Sequence, residues 1–159
     1  MRGRLELDVT YAARRPWVPR RAQFVTWTSA ALSGAAWANA ARNAVRVVVS
    51  VRIVGAARSR TLNARYRHKD RPTNVLSFSG AGMSPDGRNF LGELVICAPL
   101  VAHEAKMQGK SAAAHWAHIT VHGVLHLLGF DHGHDAEARK MTAREIQILD
   151  RLGFSDPYA

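Results

Sequence analysis

The run from residue 111 to residue 129, SAAAHWAHITVHGVLHLLG, constrains the fold more than any other part of this chain. It is long, apolar and free of proline, so it predicts a helix started by Ser111 and ended by Gly129. A helix of this character belongs in a core, and the other elements have to be built around it. LELDVTY alternates apolar and polar side chains and predicts a strand, followed by a proline-interrupted loop, ARRPWVPRR. Residues 22–41 carry Phe24, Trp27, Ala31, Leu32 and Ala35 at helical spacing and predict one amphipathic helix. AVRVVVSVRIVG predicts a strand, and LNARYR a short helix capped by Ser59 or Thr61. NVLSFS and LGELVICA predict two strands paired as a hairpin through GAGMSPDGRN. Pro99 opens a further helix that Gly109 closes, and Asp135 caps a last amphipathic helix ended by Gly153. The interleaving predicts an α/β fold in one domain, residues 1–159: a small mixed β-sheet of about four strands, packed by helices, with the apolar helix in the core.

Charge narrows the partner. The net charge is +10, and arginine supplies most of it, since only four lysines are present. Guanidinium groups favour planar, two-pronged contacts with phosphate, so this balance points toward a nucleic acid or another polyanion. An arginine-rich background composition gives the same number without any partner. The single Cys97 lies in the apolar run LVICAPL and has no intramolecular disulfide partner; it predicts a buried small hydrophobe in a reducing compartment. No signal-peptide pattern opens the chain, and the longest apolar stretch is broken by Asn39, Arg42, Asn43 and Arg46. A cytoplasmic, soluble protein with no membrane partner is expected.

Within the apolar helix, residues 122–132 read HGVLHLLGFDH. Residues four apart share a helix face, so His122 and His126 can close on one metal ion from a single rigid element. Gly129 lets the chain turn back and deliver His132 as a third ligand. Three imidazoles leave a fourth position for water, the mark of a catalytic zinc site, so one Zn2+ per chain is expected. Nickel, copper and iron also accept imidazole. His118 continues the stripe one turn earlier, but at 1.5 Å per residue it stands roughly 12 Å along the axis from His126 and cannot share the ion. It lines a cleft or is packed. Asp131 either orients an imidazole or is a solvated turn residue.

The spacing is that of a zinc-protease helix, with one difference. The glutamate that takes a proton from the metal's water in such proteases follows the first histidine, and here that position is Gly123. Zinc alone lowers the pKa of its water toward ~7, so a nucleophile needs no dedicated base. A phosphodiester suits such a site, because arginine and metal can stabilise the charge on its non-bridging oxygens. Peptide hydrolysis lacks its base, and the basic composition points the same way.

HGVLHLLGFDH, LNARYRHKDRPTNVLSF and FLGELVICAPLVAHEA, taken together and in this order, resemble the bacterial YbeY family of metal-dependent endoribonucleases. The resemblance runs from about residue 44 to residue 152. It implies a zinc-dependent, single-strand-specific endoribonuclease acting in rRNA maturation, notably at the 3′ end of 16S rRNA, and in ribosome quality control. It also implies single-stranded rRNA and the ribosome or a small-subunit precursor as partners, and an α/β fold with the metal at a basic cleft. The family's metal ligands map onto His122, His126 and His132, and an arginine important for activity maps onto Arg67, where it binds or stabilises the scissile phosphate. Two positions depart from the pattern: Asn74 stands where aspartate is common, and Glu93 where the family usually has aspartate. The first 40 residues match weakly.

Lys69 and Arg71 read as RNA-backbone contacts or as a solvated basic loop. Trp17 and Trp27 read as base-stacking rings or as core. The alternative from another class is a ribosome-assembly RNA-binding protein whose zinc is structural.

Overall fold

The computed structural model describes residues 3–131 and 133–159. The chain runs β1 (Arg4–Tyr11), α1 (Arg21–Ala31), α2 (Ala35–Ala40), β2 (Arg46–Val54), α3 (Ala56–Arg67), β3 (Val75–Met83), β4 (Arg88–Cys97), α4 (Ala98–Met107), α5 (Ala112–Leu127) and α6 (Asp135–Arg151). The four strands form one mixed sheet in the order β1-β2-β4-β3, with β1, β2 and β4 parallel and β3 antiparallel on the edge. The fold is α/β, and β3–β4 is the expected hairpin.

The valine-rich β2 is central because it can be buried on both faces. Val49, Val51 and Ile53 join Leu7, Leu94 and Ile96 on the face covered by α1, α5 and α6. Here Trp116 and Phe24 are fully buried and meet edge to face at 5.9 Å. Burying a side chain the size of Phe24 contributes about 1.5–3 kcal/mol. Helix α5 lies in this core, with Ala117, Val121, Val124 and Leu125 shut off from solvent. Ser111 accepts from the Ala114 amide at its N-terminus, as the sequence predicts. The opposite sheet face is only partly covered. Leu62 of α3 packs on Val54, Leu76 and Val95, while the rest carries ion pairs of Glu6 with Arg46 and Arg88, and of Arg52 with Glu93.

Several boundaries differ from expectation. The single helix over residues 22–41 is two: α1 ends at Ala31, Leu32 leaves the helical path at ψ 54°, and α2 restarts at Ala35 behind Gly34 at φ 61°. The α3 helix begins at Ala56, earlier than Ser59 or Thr61. Ser59 instead donates to Thr73 O, and Thr61 to Ala57 O, inside the helix. Asp135 is not the cap of α6 but its first residue, where its charge favours the helix N-terminus. The hairpin strands are longer than expected, and the turn shrinks to the residues between Met83 and Arg88. Gly80 permits this: a Cβ there would lie 2.3 Å from Phe90 O, so only glycine fits the irregular pairing.

Candidate active site

Helix α5 presents its last turns to an open cleft of about 620 Å³. His122 and His126 line it together with Arg67, Lys69, Arg71 and Asp131. The two imidazoles stand edge to face with centroids 4.7 Å apart, and their Nε2 atoms approach to 3.2 Å. Two ligands of one tetrahedral ion, with Zn–N bonds of about 2.0–2.1 Å, stand about 3.3–3.4 Å apart, so this pair suits a single metal. Among the described residues no set of three His, Cys, Asp or Glu side chains gathers as a metal site. His132, the third histidine of the spacing, lies outside the described residues.

The far side of His122 is fixed by α6. Its Nδ1 stands 3.1 Å from Glu145 Oε1, and Glu145 is buried. The same carboxylate receives His118 Nε2 at 2.9 Å and the Tyr158 hydroxyl at 2.9 Å on Oε2. Burial alone would raise the Glu145 carboxyl, but hydrogen bonds from His118 and His122 and their charge overcome it and hold the group at about 2. Burial first, and then the carboxylate beside it, push the Tyr158 hydroxyl up, so it stays a donor. An ionised carboxylate only accepts, so in its neutral form His122 carries its proton on Nδ1 and turns Nε2 toward the cleft. His118 does not line that cleft; it serves Glu145 from behind.

Gly123 faces the sheet rather than the cleft. A Cβ there would meet Leu94 Cδ2 at 2.9 Å and Val75 Cγ2 at 3.3 Å. Ser77 Oγ, on β3, donates to Gly123 O at 3.1 Å. A glutamate at this position would be driven into packed apolar side chains. The missing base is therefore a consequence of how tightly α5 lies on the sheet.

The opposite wall comes from α3 and the loop after it. Arg67 ends α3, is exposed, and donates through Nη2 to Ser77 O at 3.2 Å. The buried Asn63 donates to Arg71 O at 2.8 Å and accepts the Lys69 amide at its own carbonyl, which folds residues 68–71 back toward the cleft. His68 makes that turn with φ 61°. Trp17 is half exposed in the loop before α1, whereas Trp27 is core, edge to face with Phe24.

With this geometry in place, comparison with known proteins decides the family. A family model described as "Endoribonuclease YbeY" matches residues 18–153. The chain belongs to the YbeY endoribonuclease family. An endoribonuclease YbeY from Stenotrophomonas maltophilia is 48% identical to it over 161 residues, covering 98% of this chain and 94% of that protein. A solution structure of a protein from Thermotoga maritima covers 94% of this chain and 88% of that one, with 21% identity and a TM-score of 0.53, which supports the shared fold.

The YbeY match starts at residue 18, so it includes α1, well before the sequence blocks that begin near residue 44. Both departures from the family pattern have local explanations. Asn74 donates through Nδ2 to Glu104 Oε1 at 3.2 Å, which an aspartate could not do. Glu104 also receives the buried His115 at 2.9 Å. Glu93 pairs with Arg52 on the partly open sheet face and does not line the cleft.

Sequence reasoning missed Glu145, Tyr158, Asn63 and Ser77. Glu145 carried a readable signal. It falls in the apolar stripe of α6 with Met141, Ile148 and Leu149, where a carboxylate needs a buried partner.

Proposed function

We propose that this chain is a zinc-dependent endoribonuclease that cuts single-stranded ribosomal RNA. The proposal extends to maturation of the 16S rRNA 3′ end and to ribosome quality control, with the ribosome or a small-subunit precursor as partner in the cytoplasm. The observation that carries it is the approach of the His122 and His126 Nε2 atoms to 3.2 Å in a cleft lined by Arg67, Lys69 and Arg71.

His122, His126 and His132 would hold one zinc ion. Bound there, the ion would lower the pKa of a coordinated water and draw charge from a phosphate oxygen. The chain's own residues do the rest. Glu145 holds the His122 proton on Nδ1, keeping the Nε2 lone pair directed outward. Arg67 pairs with the non-bridging oxygens of the scissile phosphate, where charge builds as the bond breaks. Lys69 and Arg71 hold the flanking backbone. No side chain at position 123 serves as base.

Metal analysis of the purified protein, paired with cleavage of single-stranded rRNA fragments, tests this reading. About one zinc per chain and zinc-dependent cleavage are expected. Cleavage at the wild-type rate by a demonstrably metal-free preparation overturns the mechanism. Bound zinc and bound RNA without cleavage would favour the assembly-factor alternative.

A further inference from the structure

Beside the cleft lies a ring that the cutting reaction does not use. Tyr66, the residue before Arg67 in the last turn of α3, is 47% exposed. Phe78 backs it edge to face, with centroids 5.1 Å apart at 71°. The Arg65 guanidinium carbon lies 5.5 Å from the Tyr66 centroid, and that of Arg67 lies 5.8 Å from the Phe78 centroid. Two aromatic rings and two guanidinium groups thus form one continuous patch at the end of α3.

The patch connects directly to the cleft. Ser77 and Ser79 line the cleft, and Phe78 between them points to the other sheet face, because successive side chains of a strand alternate. β3 is an edge strand, so no further strand separates the two sides there. Arg67 belongs to both, lining the cleft while resting against Phe78. The nearby Asp70 is already engaged by Arg60 through two hydrogen bonds of 2.8 and 3.0 Å, so the patch stays positive.

We propose that Tyr66, steadied by Phe78 and flanked by Arg65 and Arg67, is a stacking platform for one unpaired nucleobase of an RNA strand that leaves the cleft over the β3 edge. The inference rests on the nuclease reading and deepens it, because a ring of this kind selects strand state. Every base has a π-face, so the platform accepts any sequence, but a base inside a duplex has both faces covered by its neighbours. Single-strand preference then resides at Tyr66 rather than at the metal.

The test uses the full-length protein with a chelator present, so that binding is read without cleavage. The probe is a single-stranded oligoribonucleotide carrying 2-aminopurine, whose fluorescence falls when the base stacks. Tyr66→Phe keeps the ring; Tyr66→Leu keeps an apolar cover on Phe78 but removes the π-face. Tyr66→Phe is expected to bind and quench like wild type. Tyr66→Leu, with an unchanged circular dichroism spectrum and melting temperature, is expected to lose the quench and bind about fivefold to tenfold more weakly. The same sequence as a duplex is expected to bind all three proteins alike. Cleavage of the strand after zinc is restored is measured alongside. A wild type that cuts, while Tyr66→Leu matches it in affinity and quench, overturns the platform alone. A wild type that neither binds nor cuts the strand overturns the nuclease reading and the platform with it.

Discussion

His122 Nδ1 lies 3.1 Å from Glu145 Oε1, and that one contact joins the cleft to the buried face of α6. Removing the charge while keeping the shape, in Glu145→Gln, frees the imidazole to turn and to move its proton. Losing such a carboxylate partner typically weakens metal binding 10- to 100-fold, and zinc competition against a chelator is expected to read a loss of about that size. Tyr158→Phe removes one of three donors to Glu145 and is expected to give a smaller loss in the same assay.

The same carboxylate makes the metal-free protein sensitive to acid. Held at about 2 rather than the ordinary 4.5, Glu145 contributes stability that is fully present above pH 4.5. It is lost as pH falls toward 2, because the unfolded chain then takes up a proton that the folded chain refuses. Urea melts of chelated wild type are expected to weaken over that window, and Glu145→Gln to start lower and change less.

Restoring the protease glutamate is expected to damage this fold rather than create a peptidase. In Gly123→Glu the new side chain has to displace Leu94 and Val75 and leaves a carboxylate among apolar groups. A loss of about 2–4 kcal/mol is expected in chemical denaturation, with no casein digestion.

Arg67→Ala is expected to lower kcat on single-stranded RNA by about 10²–10³, with little change in melting temperature, because the side chain is exposed and a transition-state donor acts mainly on kcat. Stopped assays under saturating RNA read the effect. Arg67→Lys should recover only part of it, since an ammonium cannot grip two phosphate oxygens in one plane.

Lys69→Ala and Arg71→Ala are expected to act on binding without favouring any sequence. Each should reduce the slope of log affinity against log salt by about 0.7, the value for one phosphate contact on a single strand. A salt titration by fluorescence anisotropy measures it.

Much of this architecture was legible in the sequence, for identifiable reasons. The β-branched run of β2 reads as a strand and the apolar run of α5 as a core helix from pattern alone, so the α/β class follows, whereas the strand order β1-β2-β4-β3 does not. The i, i+4 spacing of His122 and His126 dictated their shared face before any tertiary contact was known. Helix ends were harder. Ser59 has the chemistry of a cap, yet its hydroxyl bonds Thr73, fourteen residues on, and a helix terminus moves when a distant partner competes. The break within residues 22–41 has no proline to mark it: Leu32 leaves helical geometry and Gly34 takes a positive φ, and one helix becomes two. Glu145 lies nineteen residues from His126, and nothing local announces which histidine a buried acid will meet.

The hydrogen bond from Arg67 to Ser77 O has a consequence for the protein's solubility. β3 is one of the two outer strands of the sheet, and an outer strand with bare carbonyls invites another chain to add itself alongside. A guanidinium resting on that rim discourages such pairing with charge and bulk. The side chain proposed to grip the substrate therefore also guards against self-association, and an Arg67 variant stored concentrated and without RNA should be the first form of this protein to aggregate.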